Sequence, residues 1–201
     1  MQDNNLKQML TEVRASYRLL HDFQRRVIDL VSYIGKKYGM DYYKGFQKFS
    51  NSPRKGTLKL SAWDWLSMYF YEFHFQDKVV NDKTICFSIF LLADNGYYKL
   101  RSEGNLNQTS TYADVKESET ELIFVAGNCW DWQRYFPDWK NDEFLFEKSY
   151  KGDDGTGEIM YQKHYNLEDF ESEEDAMKNI ADFANECKKL GIPLDIVTTK
   201  I

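Results

Sequence analysis

Apolar residues return every seven positions through the first 38 residues: Leu6, Val13, Leu20, Val27 and Ile34 mark one seam position. Leu10, Tyr17, Val31 and Tyr38 fill the second, which only Gln24 interrupts. Two apolar positions per seven, with no proline and no glycine before Gly35, predict one amphipathic helix over 6–37. At about 1.5 Å per residue that helix spans roughly 48 Å, more than the body of a small domain, so part of it should project or pair with another chain. Leu19, Phe23, Ile28 and Leu30 widen the stripe beyond a strict seam, which favours packing on a sheet or in a bundle over a bare two-stranded coil.

The same segment is basic. Residues 1–60 hold 12 Lys+Arg against 5 Asp+Glu, a net of +7, so the formal −6 of the whole leaves −13 on residues 61–201. Either a basic surface meets nucleic acid or an acidic partner, or the basic segment packs on the acidic remainder of its own fold; the second is the preferred expectation. Arg14, Arg18, His21 and Arg25 follow at spacings of four, three and four and stack along one side of the helix. Guanidinium forks match phosphate oxygens, so this row is the candidate nucleic-acid or anion-binding site. The pairs Arg18–Asp22, Asp22–Arg26 and Arg25–Asp29 would instead make it an ordinary solvated face. In spacing alone, Arg14 and His21 resemble the Arg-x6-His pair of HEPN ribonucleases. Ala15 stands where that family carries a polar residue, and a β-rich chain follows, so no family is assigned.

Beyond the helix the apolar period changes from about 3.6 to 2. Trp63–Gln76 and Thr84–Ala93 read as strands covered on both faces, and Asp94-Asn95-Gly96 before Tyr97 reads as a tight hairpin turn. Glu121–Ala126 is a further strand, and Glu143–Tyr150 with Glu158–Tyr165 forms a hairpin around Lys151–Gly157, in an antiparallel-leaning meander. Ser172 followed by Glu173, Glu174 and Asp175 starts a second helix over 173–190, stopped by Gly191 and Pro193, and Ile192–Val197 reads as a short edge strand. The expected fold class is α+β: a long N-terminal helix, an antiparallel or mixed sheet of about five to seven strands, and a C-terminal helix packed on it. The 201 residues suit one domain, with 57–165 as its β-rich part.

Chemistry-bearing patterns are few. Glu72 and His74 share one strand face and Asp94 ends the next strand, a weak candidate acid/base site. Gly127–Lys140 sets Trp130, Trp132, Tyr135 and Trp139 around Arg134 in what should be a loop; such aromatics stack on a base or anchor a protein interface. Cys86, Cys129 and Cys187 have no paired spacing, so neither a disulfide framework nor a metal site is implied, and no cofactor motif occurs. Pro137-Asp138-Trp139-Lys140 has the letters of a metal-dependent nuclease motif without its strand. The longest apolar runs are far below the roughly 20 residues of a membrane span, and MQDNNLKQ lacks a signal peptide's apolar core. The expectation is a cytoplasmic, non-enzymatic module that binds a protein partner or itself through the long helix and the aromatic loop. Nucleic-acid binding by the arginine row is the alternative, and a hydrolase or nuclease using Glu72, His74 and Asp94 comes third.

Overall fold

A computed structural model describes residues 2–48, 70–96, 109–128, 149–153 and 159–197. Helix α1 runs over Gln2–Tyr38, starting before the first heptad position and ending on the last of them. It stops where Gly39 turns left-handed (φ +64°) and closes a Schellman motif: Met40 N–H donates to Gly35 C=O and Gly39 N–H to Lys36 C=O, each at 3.0 Å. The second helix, α2 (Glu173–Lys189), carries the expected punctuation. Ser172 Oγ accepts from Asp175 N–H at 3.1 Å, and Gly191 (φ +82°) closes a second Schellman motif through Ile192 N–H on Cys187 C=O.

Between the helices lie strands β1 (Tyr42–Lys48), β2 (Phe70–Phe75), β3 (Lys78–Val80), β4 (Lys83–Leu92), β5 (Glu121–Asn128), β6 (Ser149–Asp153) and β7 (Ile159–Asn166). Six of them form an antiparallel sheet in the order β1-β2-β4-β5-β7-β6, and the short β3 pairs with β4 beyond the end of β2. The fold is thus α+β as expected, with four departures in the sheet, one being that β6 runs through Lys151–Asp153, residues expected in the turn. The chain passes from β5 to the outer edge at β6 and returns as β7 between them, so the strict meander ends at β5. The sheet begins at Tyr42, well before residue 57, with an edge strand whose short YYKGFQK pattern gives little alternation. Ile192–Val197 forms no strand; it runs as irregular chain that buries Ile192 and Leu194 and ties back to α1 through Val197 N–H on Lys37 C=O at 2.8 Å.

The expected Asn95-Gly96 hairpin is also corrected. Neither residue has positive φ, as a type I′ turn requires, and Asn95 is buried with its N–H on Glu119 C=O. The tight turn lies at Asn81-Asp82 (φ 51° and 62°), joining β3 to β4 with Val80 opposite Lys83. Asn and Asp tolerate the left-handed region because their short polar side chains bond locally, so the pair serves in place of Asn-Gly.

Both helices cover one sheet face. Phe87 of β4 is the hub, with ring centres of Tyr38 at 4.9 Å, Phe75 at 5.2 Å, Phe124 at 5.9 Å and Phe183 at 6.1 Å. Tyr38 also donates its hydroxyl to Ile180 C=O at 2.8 Å, joining α1 to α2 inside the core. Val27, Val31, Ile34 and Tyr38 enter this core from α1, and Ala176, Ile180, Phe183, Ala184 and Cys187 from α2. Burial pushes the Cys187 thiol well above its ordinary pKa, as suits a packing residue.

Candidate functional site

The heptad stripe of α1 divides at Gln24. On its C-terminal side Val27 and Ile34 are 1% and 0% exposed, whereas on its N-terminal side Leu6, Val13, Tyr17 and Leu20 are 54%, 44%, 61% and 43% exposed. Only the last turns of α1 rest on the sheet. Residues 5–22 stand clear of the body over about 27 Å, with the apolar seam open along one face. At the base of this arm, Gln24, Ile28 and Val31 of α1 face Tyr42, Tyr71 and Phe73 of β1 and β2 across a groove of about 330 Å³. The Gln24 carbonyl oxygen (Oε1) there is buried with no hydrogen-bond donor.

Arg14, Arg18, His21 and Arg25 all lie exposed on the arm. The preferred expectation that the basic segment packs on its own acidic remainder is therefore overturned for these residues, because the body ends where the arm begins. The expected i,i+4 ion pairs do not close among the described residues: Asp22 instead meets His21 at 3.2 Å, and Arg14 donates to Thr11 Oγ1 at 3.0 Å. The row stays an open cationic surface. Trp130, Trp132, Arg134, Tyr135 and Trp139 of the aromatic loop lie outside the described residues.

The candidate acid/base residues meet only in part. His74 Nε2–H donates to Glu72 Oε2 at 2.9 Å, and its Nδ1 accepts the Ser88 hydroxyl at 2.8 Å, on the sheet face opposite the helices. Asp94 does not join them; its Oδ1 accepts from Gly96 N–H at 2.7 Å in a local turn. Hydroxyl, imidazole and carboxylate in a row is a proton-relay order, yet Glu72 and His74 are 1% and 4% exposed. A second such pair has no counterpart among the sequence expectations: His164 Nδ1–H donates to Glu121 Oε2 at 2.8 Å, and Asn95 Nδ2–H donates to Glu121 Oε1 at 3.0 Å. Both clusters bind strand to strand through buried polar groups, as buried polar atoms require. Ser88 is readable in principle, since taking Asn81-Asp82 as the turn places it within one residue of His74 across the hairpin.

Among the described residues no helix is long and apolar enough to cross a membrane, and no group of three or more His, Cys, Asp or Glu side chains could hold a metal ion. The class so defined is an α+β protein with two helices on one face of an antiparallel sheet and a helical arm extending from it. The chain belongs to the PM0109 family, whose model matches residues 3–191. No curated protein and no solved structure matches it.

Proposed function

We propose that this protein is a non-enzymatic interaction module that binds a protein partner through the seam of its projecting arm. The observation that carries the reading is the split stripe: one heptad pattern is core on one side of Gln24 and open to water on the other. Leu6, Leu10, Val13, Tyr17 and Leu20 are each about half exposed, so covering them gains about 1 kcal/mol apiece at half the value of full side-chain burial. An isolated arm gains nothing from this pattern, since polar residues would hold the helix equally well in water. The burial of Glu72 and His74 supports a structural role for that cluster over catalysis. A cytoplasmic setting belongs to the same reading, supported by the buried thiol of Cys187. Affinity capture with the parent chain and with a Leu10→Glu, Val13→Glu, Leu20→Glu variant, run side by side, tests it. A protein held by the parent and lost by the variant is expected; equal recovery by both refutes the seam.

Nucleic-acid binding is the second reading, favoured by the open row of Arg14, Arg18 and Arg25. Fluorescence anisotropy with labelled single-stranded RNA and duplex DNA should then show binding that weakens steeply with salt, as counterion release dictates. Arg18→Glu with Arg25→Glu should abolish it, and affinity unchanged by that pair would remove the reading.

A further inference from the structure

We infer that the partner on the arm is a heptad helix of a different protein, carrying acidic side chains along the one flank that faces Lys7, Arg14 and His21. The inference rests on the seam being the working surface and adds the chemistry of its occupant.

Heptad pairing has two parts: an apolar a/d seam supplies the attraction, and the e and g flanks choose the partner. On the arm Leu10 and Tyr17 stand at a, and Leu6, Val13 and Leu20 at d. The e position, one residue past each d, is Lys7, Arg14 and His21 in succession, and all three are exposed. The g position on the other flank is Met9, Ser16 and Phe23, none of them charged. The arm's acids lie away from the seam, Glu12 at c and Asp22 at f. Arg14 donates to the neutral Thr11 hydroxyl, and neither it nor Lys7 closes an ion pair among the described residues. Arg18 and Arg25, at b, stand behind the same flank and strengthen its positive field.

Charge complementarity selects the occupant. Two arms laid antiparallel would set e against e, cation against cation, and two laid parallel would set e against an uncharged g, so a second copy answers the row in neither direction. An anionic lipid surface attracts cations wherever they border the buried stripe, and here one border has none. Nucleic acid would answer the cations and leave Leu6, Val13 and Leu20 in water. Acidic residues at the e positions of an antiparallel partner helix, or at the g positions of a parallel one, answer both parts of the surface. The next e position of α1 is Ile28, 51% exposed and lining the groove, so the same flank of the partner turns apolar at that end.

Two labelled peptides of about three heptads test it, identical and apolar at a and d, one bearing Glu and the other Lys at every e and g. Their own like charges keep each from pairing with itself. In fluorescence anisotropy at low salt the full chain should bind the Glu peptide about 10-fold more tightly than the Lys peptide, since attraction replaces repulsion at Lys7 and Arg14. Lys7→Glu with Arg14→Glu should reverse that preference while keeping the parent's thermal midpoint, because both residues are exposed. A scrambled Glu peptide of the same composition should bind at least about 10-fold more weakly than the heptad one. Equal affinity for the Glu and Lys peptides, equal affinity for the scrambled peptide, or a preference that the double variant leaves unchanged each overturns the inference. So does a dimer of the full chain in sedimentation velocity that the Leu10→Glu, Val13→Glu, Leu20→Glu variant abolishes. Single-stranded RNA or phosphatidylserine vesicles bound where the Glu peptide is not would also overturn it and identify the row as a phosphate site. If neither peptide binds yet the seam variant still loses a captured protein, the acidic helix fails as occupant and the seam stands; if the captured proteins are also unchanged, both fall.

Discussion

Replacing Gly35 by alanine should destabilise this protein, against the usual rule for a helix interior. Alanine in place of glycine within a helix ordinarily gains about 1 kcal/mol. Here a Cβ on Gly35 would overlap Phe75 Cε1, lie 2.9 Å from Phe75 Cδ1 and sit 3.0 Å from the Met40 carbonyl oxygen. Phe75 has little room to yield: its ring is buried between Tyr42 and Phe87, with ring centres at 6.5 and 5.2 Å, and Met40 O belongs to the backbone just past the helix stop. Overpacking of this kind costs about 1–3 kcal/mol, and overlap with a fixed ring belongs at the upper end. Subtracting the helix gain leaves a net loss of about 2 kcal/mol, or roughly 4–8 °C in thermal midpoint for a chain of this size. Thermal and urea unfolding followed by circular dichroism would measure it. A midpoint equal to or above the parent's would refute the claim that Gly35 is required for the close approach of α1 to the sheet. The double variant with Phe75→Leu supplies the control, because Phe75→Leu should cost less in the Gly35→Ala background than in the parent.

Positions in one heptad stripe should respond oppositely on the two sides of Gln24. Ile34→Ala should cost about 2–5 kcal/mol by urea titration because Ile34 is fully buried, whereas Leu10→Ala should change stability by less than about 0.5 kcal/mol; equal costs would contradict the projecting arm. Asp82→Gly should raise stability slightly, by up to about 1 kcal/mol in thermal unfolding, since Asp82 sits at φ 62° where glycine is unstrained, and a clear fall would argue against the tight turn. Burial alone would raise the Asp182 pKa, but hydrogen bonds from Lys163 Nζ and the Tyr165 hydroxyl outweigh it and hold the carboxyl below its ordinary 3.8. A depressed carboxyl stabilises the fold above its unfolded pKa and loses that contribution as pH falls through the folded value. Asp182→Asn should therefore lower stability at neutral pH by under about 1 kcal/mol and converge with the parent as pH falls through the depressed folded pKa. A difference that persists in acid would assign the effect to packing.

Periodicity and punctuation make the helices legible. The seven-residue repeat requires a long amphipathic α1, and Ser172 with Gly191 bounds α2, because caps and apolar stripes act over a turn or two of chain and need no distant partner. Short, largely apolar runs bounded by turn residues likewise expose β4, β5 and β7, each buried on both faces or nearly so. The turn differs from expectation because Asn95-Gly96 has the better local chemistry, while Asn81-Asp82 wins through the pairing of β3 with β4 on either side of it. The place of β7 between β5 and β6, the meeting of Ser88 with His74, and the union of Glu121 with His164 all depend on strand order, which no local signal encodes.

By itself the sequence determined that α1 would be one long basic helix with an apolar seam. Only the tertiary structure decided which half of that seam is core. The heptad pattern is the same on both sides of Gln24, and a side chain's burial is set by what lies opposite it: Phe87 reaches Tyr38, while nothing described reaches Leu6.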